Sequence, residues 1–243
     1  MEKIREVLEK GLRTILEPAM DALTRWGVHP NVVTTLGFLI TCASGFFFHE
    51  HHVRTAGFLI LLGGSFDMLD GTVARRTGLG STFGAFYDST LDRFSEIVVY
   101  LGILSLYNDY RLELGDVGMI YTVLLVMAGS LMISYTRARA EGLGVDCDVG
   151  LMQRPERVVL IGAAALFFGE QGQGVVLKGV LILLAVLTNF TALQRIYWVW
   201  KQTRPDGEPS PAGSTSAESD GRTGQKAPAA VGDPGGADSE SDH

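Results

Sequence analysis

Six apolar windows, at roughly 32–49, 55–75, 82–107, 117–138, 156–170 and 174–199, dominate this 243-residue chain. Each approaches the length that a ~30 Å hydrocarbon core demands of a helix. They predict an all-α integral membrane protein with six transmembrane helices. In the fifth window Gly162 and the run Ala163-Ala164-Ala165 predict close packing against neighbouring helices rather than a lipid-facing surface. The stretch before the first window carries Glu2, Lys3 and Arg5, then continues amphipathically through Leu8, Leu12, Ile15 and Leu16. It lacks the apolar core of a secretory signal and reads as an interfacial helix.

Charge divides the chain. Residues 205–243 hold eight acids against Arg222 and Lys226, a net of −6 out of a total of −7, so residues 1–204 are nearly neutral. That tail has no aromatic residue and is rich in Gly, Pro, Ser and Ala, a composition that cannot offset chain entropy by burial. The expected organisation is a membrane domain over 1–204 and a disordered acidic tail over 205–243. Cys42 and Cys147 form no metal or redox spacing, and no nucleic-acid partner is expected.

Basic residues orient the spans. Lys3, Arg5, Lys10, Arg13, Arg25, Arg75, Arg76, Arg137, Arg139, Arg154, Arg157, Arg195, Lys201 and Arg204 collect on one side, against Arg54, Arg111 and Lys178 on the other. The excess of positive charge marks the cytoplasmic face and puts both termini there. His49-Glu50-His51-His52 then lies in an outer loop and reads as hydrated loop residues, while Tyr197, Trp198 and Trp200 read as an interfacial belt.

Within the second and third windows stands Asp67-x2-Asp70-Gly71-x2-Ala74-Arg75-x8-Gly84-x3-Asp88-x3-Asp92. A carboxylate in a bilayer costs at least ~2.5 kcal/mol on the most lenient scale, so four together require cations, hydrogen bonds or water. Residues three or four apart share a helix face. Asp67 and Asp70 therefore project from one helix and Asp88 and Asp92 from the next, near the cytoplasmic side. An all-oxygen donor set suits Mg²⁺ or Mn²⁺, whereas zinc favours His and Cys, and four carboxylates have room for two ions. Gly71, Ala74 and Gly84 remove bulk beside the acids, and Arg75 offers a planar fork suited to phosphate. Together these features read as a diphosphate site. Two other readings use the same acids differently: structural pairing with Arg75 and Arg93 in a silent scaffold, or the path of a cation transporter.

At every fixed position this motif resembles the signature of the CDP-alcohol phosphatidyltransferase family, whose six-helix layout spans residues 1 to about 204. The resemblance implies transfer of a phosphatidyl group from a CDP-linked lipid, such as CDP-diacylglycerol, to an alcohol with release of CMP. It assigns Asp67, Asp70, Asp88 and Asp92 to a two-metal site, with Asp92 also the base for the acceptor hydroxyl. It makes Gly71, Arg75 and Ser81 nucleotide contacts, and likens Pro30-Asn31-Val32-Val33-Thr34 to the family's nucleotide-facing helix start, where Asn31 and Thr34 serve equally as cap and first-turn residues. It also implies a homodimer in a prokaryotic plasma membrane.

The acceptor is read from the second half. Ser134–Gly142 and Gly150–Arg157 place Arg137, Arg139, Arg154 and Arg157 around one cytoplasmic loop, with Arg195 available from the last helix. Arginine clusters recognise phosphate through charge-assisted hydrogen bonds, so an anionic alcohol is expected at Arg137, Arg154, Arg157 and Arg195. Arg154 and Arg157 straddle Pro155 in a helix first turn, where free N–H groups add to an anion site. These stretches are similar to those of the prokaryotic phosphatidylinositol phosphate synthases, although Arg137 stands where a lysine often occurs. The phosphorylated polyol is then inositol 1-phosphate. Glycerol 3-phosphate, giving phosphatidylglycerophosphate, and free inositol are the alternatives.

Overall fold

The computed structural model describes residues 16–108, 116–169 and 171–204, and every regular element among them is helical. A stretch over 16–25 (α1) leads into α2 (Pro30–His49), α3 (Val53–Thr77), α4 (Thr82–Asn108), α5 (Val117–Glu141), α6 (Arg154–Ala163) and α7 (Gln171–Gln202), with a π-helical turn, Ala164–Phe168, continuing α6. Most of the expected interfacial helix, residues 1–15, and the acidic tail from 205 onward lie outside the described residues.

Local chemistry sets the helix ends. Pro30 occupies the first turn of α2, where its missing N–H costs nothing, and the His29 ring accepts the Asn31 N–H at 3.2 Å. Asn31 therefore sits inside the first turn, and the cap expected of it belongs to His29. α3 stops at Gly78, whose φ of 68° is open to glycine at no steric cost. Asp116 caps α5 through the N–H groups of Gly118 and Met119 at 2.9 and 3.3 Å, and accepts from Lys178 at the start of α7. That hydrogen bond holds the Asp116 carboxyl below its ordinary pKa.

Among the described residues, four helices are long and apolar enough to cross a membrane: α2, α3, α5 and Gly174–Gln202 within α7. The expectation of six meets two limits. α4, at 27 residues, spans ~40 Å but carries Asp88, Asp92, Arg93 and Glu96 between its first turns and its middle. α6 is 10 residues long and its π-helical turn adds 5, which is short of a bilayer even when summed.

Between lipid-facing helices, close packing replaces the hydrophobic effect as the source of association. α2 crosses α4 backbone to backbone: a Cβ on Gly102 would sit 2.2 Å from the Gly45 carbonyl oxygen. α3 meets the π-helical turn in the same way, since a Cβ on Gly57 would lie 2.5 Å from the Leu166 nitrogen. One cluster of buried residues, including Phe48, Ile60, Ile103, Val123, Leu181 and Leu184, joins α2, α3, α4, α5 and α7. A smaller one, Met20, Val33 and Leu69, seats α1 on α2 and α3, and Arg76 reaches Asp21 at 2.5 Å beside it. The C-terminal half of α3, the N-terminal half of α4 and the starts of α2 and α6 are thereby brought together.

Candidate metal and diphosphate site

The carboxylates of Asp67, Asp88 and Asp92 converge where α3 and α4 face each other, with one oxygen of each within 4.8 Å of the others. The helical spacing places them as expected. Asp70 differs: its Oδ2 accepts the Thr34 hydroxyl at 2.6 Å and its side chain is 5% exposed. Thr34 thus reaches the acid set directly from the first turn of α2. The Asp88 Oδ1 is buried with no hydrogen-bond partner. An orphaned carboxylate oxygen beside two further carboxylates, with neither His nor Cys in the set, fits a hard divalent cation.

Arg154, the first residue of α6, points into this cluster. Its Nη1 bonds the Asp67 Oδ2 and lies 2.9 Å from the Asp92 Oδ2. Arg75 and Arg93, the cations of the structural alternative, hydrogen-bond elsewhere, to the Thr72 hydroxyl and the Ser89 carbonyl. Three residues after Arg154, Arg157 turns away to Glu96 with a two-point ion pair at 2.7 and 3.0 Å. Tyr100 closes that network, with its hydroxyl 3.4 Å from Glu96 and 3.2 Å from Ser130. Arg157 is 1% exposed, so its charge needs the Glu96 carboxylate beside it.

Sequence reasoning passed over Glu96. The signal was present, because Glu96 follows Asp92 by one helical turn and a further acid on that face requires its own cation. The contact of Arg154 with the aspartates was also missed, and nothing local in the sequence reveals it.

The phosphate-side residues gather at the same end. Gly71 and Arg75 are one turn apart, and a Cβ on Gly71 would meet only the Arg75 guanidinium, at 3.6 Å. Gly84 lies against α2, where a Cβ would be 3.2 Å from the Asn31 Oδ1 and from the Ser81 Oγ. Ser81 accepts the Gly84 N–H at 3.0 Å and so caps α4. Ala74 is half-buried and Arg75 exposed. Packing demands Gly102 and does not demand Gly71. Gly102→Ala is expected to cost ~1–3 kcal/mol through overpacking. Gly71→Ala is expected to melt at or above the wild-type temperature, since alanine favours a helix interior over glycine by roughly 0.5–1 kcal/mol, while raising KM for the CDP-linked lipid that the resemblance implies. Melting curves and kinetics on both variants check this, and equal melting points would refute the distinction.

The remaining arginines expected at the acceptor divide. Arg137 stays on the surface, held by Glu141 at 2.8 Å and Asp148 at 2.9 Å. Arg195 is buried, donating to the carbonyls of Val149 at 2.8 Å and Ile133 at 2.7 Å. It fastens the loop before α6 to α5 and α7. The structure brings Arg154 to the aspartates and keeps Arg157 and Arg195 in the framework around it.

A model of the CDP-alcohol phosphatidyltransferase family matches residues 27–191. An archaetidylinositol phosphate synthase of Methanothermobacter thermautotrophicus is 34% identical over 205 residues, covering 84% of this chain and 100% of that relative. Among solved structures, the phosphatidylinositol phosphate synthase of Mycobacterium tuberculosis with CDP-DAG bound superposes with a TM-score of 0.70 at 33% identity, over 79% of this chain and 96% of that one. The same enzyme in complex with manganese and citrate gives a TM-score of 0.69 at 33% identity, over 78% and 90%.

Proposed function

Because this chain belongs to the CDP-alcohol phosphatidyltransferase family, we propose that it transfers the phosphatidyl group of CDP-diacylglycerol to inositol 1-phosphate, giving phosphatidylinositol phosphate and CMP. The observation that carries the acceptor is the likeness to an archaetidylinositol phosphate synthase and a phosphatidylinositol phosphate synthase along nearly the whole of their length. Arg137 at the rim, with its charge in exposed and exchangeable ion pairs, and Arg154 at the centre are the residues to meet the acceptor phosphate. Arg157 and Arg195 add positive potential from fixed positions.

Asp67, Asp70, Asp88 and Asp92 would hold two Mg²⁺ ions, with Mn²⁺ an alternative. The donor set and the buried, unpartnered Asp88 oxygen support this. When bound, the cations neutralise the diphosphate and the departing CMP. The chain's own residues do the rest. Gly71 and Gly84 admit the diphosphate to the α3–α4 face, Arg75 and Asn31 flank it, and Ser81 with Ala74 shapes the cytosine-nucleotide end. Asp92 takes the proton of the acceptor hydroxyl. That oxygen then forms its bond to the phosphatidyl phosphorus as the bond to the CMP oxygen breaks.

The same proposal places α4 and α6, with the π-helical turn, alongside the four apolar helices as six spans. α1 would lie along the interface. The site and both termini face the cytoplasm of a plasma membrane, and the chain pairs as a homodimer, both carried by the charge asymmetry and the family resemblance.

Purified protein in detergent with labelled CDP-diacylglycerol and Mg²⁺, offered inositol 1-phosphate, glycerol 3-phosphate or free inositol in parallel, tests the acceptor. CMP release is expected chiefly with inositol 1-phosphate and is expected to vanish on chelation. Turnover confined to glycerol 3-phosphate would reject the assignment.

A further inference from the structure

Arg154 holds two of the three carboxylates that converge as a candidate cation site. Its single Nη1 bridges the Oδ2 atoms of Asp67 on α3 and Asp92 on α4. Those same two residues, with Asp88, present oxygens within 4.8 Å of one another. Metal–oxygen distances of ~2.0–2.2 Å put opposed ligands roughly 4 Å apart, so the gap between Asp67 and Asp92, one of the two cation positions proposed above, admits one cation at a time. A guanidinium and a dication crowded onto the same oxygens would repel each other strongly in a low-dielectric setting.

The two arginines of α6 are held very differently. Arg157 is locked, its Nε and Nη2 on Glu96 and its Nη1 on the Met152 carbonyl. Arg154 grips the aspartates with one nitrogen, while its buried Nε has no hydrogen-bond partner. Its side chain is 23% exposed against 2% for Arg157. It stands on the first residue of α6, where a change of side-chain torsions moves it without disturbing the helix. It is built to leave.

We propose that Arg154 is a displaceable counter-cation of the carboxylate cluster, exchanging with the divalent metal at Asp67 and Asp92. This rests on the metal-site reading above. In that exchange the Asp67 and Asp92 carboxylates would turn from the guanidinium to the ion, and the guanidinium would swing off them towards the rim, still charged. By linkage, whatever draws Arg154 away tightens metal binding, and metal in turn frees Arg154 for an anion. The ion and the phosphate of the acceptor alcohol are then coupled through one side chain.

Mn²⁺ binding to the full chain in detergent, followed by electron paramagnetic resonance at about pH 8, above the ordinary carboxylate range, provides the test. Arg154→Gln is expected to bind Mn²⁺ about tenfold more tightly than wild type, equivalent to ~1.4 kcal/mol. Arg154→Lys, which keeps a competing charge, is expected to fall between them. On the wild-type protein, arginine-selective dicarbonyl labelling read by mass spectrometry should show Arg154 becoming more reactive as Mn²⁺ is added. This second readout stands even if Arg154→Gln does not fold. Unchanged or weaker Mn²⁺ affinity in Arg154→Gln, or Arg154 labelling that fails to rise as the metal binds, overturns the exchange while leaving the metal site intact. Absence of Mn²⁺ binding to the wild type would remove the metal site itself, and the exchange with it.

Discussion

Asp92→Asn is expected to cut kcat by ~10²–10⁴-fold, the range for loss of a positioned general base, with the melting temperature close to wild type. Asparagine keeps the shape of the side chain and its oxygen beside Arg154, so the fold has no reason to change. It has neither the basicity to take the acceptor proton nor the full negative charge that a divalent ion requires. Single-turnover assays with saturating CDP-diacylglycerol and inositol 1-phosphate read the chemical step directly. A variant that kept kcat and raised only the acceptor KM would show that Asp92 binds the alcohol and that its proton goes elsewhere.

Glu96→Gln should act on stability instead. The Glu96 and Arg157 side chains are 11% and 2% exposed, and removing one partner of so buried a pair leaves a charge uncompensated, at a cost of ~3–5 kcal/mol. The variant is expected to lose its thermal midpoint in detergent by a wide margin. The double variant Glu96→Leu with Arg157→Met should recover much of that loss, because replacing a buried pair by apolar groups removes both desolvation costs. If Glu96→Gln melts like wild type, the pair is not the strut that its 2.7 and 3.0 Å bonds indicate. Retained stability together with a raised acceptor KM would instead assign Arg157 to the alcohol phosphate.

The two variants mark the border between what local spacing reveals and what it does not. Asp88 and Asp92 were legible as a pair because four residues along a helix return to the same face, whatever surrounds it. The same rule grouped Asp67 with Asp70. It could not show that Thr34, 36 positions away, would take the Asp70 oxygen. Arg154 and Arg157 look alike in sequence, two arginines about one proline in a first turn, and were read as one phosphate clamp. They stand one turn apart along α6, so that one meets Asp67 and Asp92 and the other meets Glu96, itself one turn beyond Asp92 on α4. Helix lengths were likewise legible where hydropathy is high, as in α2 and α5. The window over 82–107 also matches α4, Thr82–Asn108, despite its charges, whereas the break of the fifth window into a 10-residue α6 and a π-helical turn was not legible.

The sequence by itself determined the helical, membrane-embedded character of the chain, the pairing of carboxylates on successive helices and the family to which that motif belongs. All three follow from interactions within one or two turns, or from transfer of apolar side chains into lipid. Only the tertiary structure decided which cation balances which carboxylate. Arg154 stands 87 positions from Asp67, and Arg157 61 from Glu96. Electrostatic partnership depends on distance through space and on exclusion of water, and those are properties of the packed bundle.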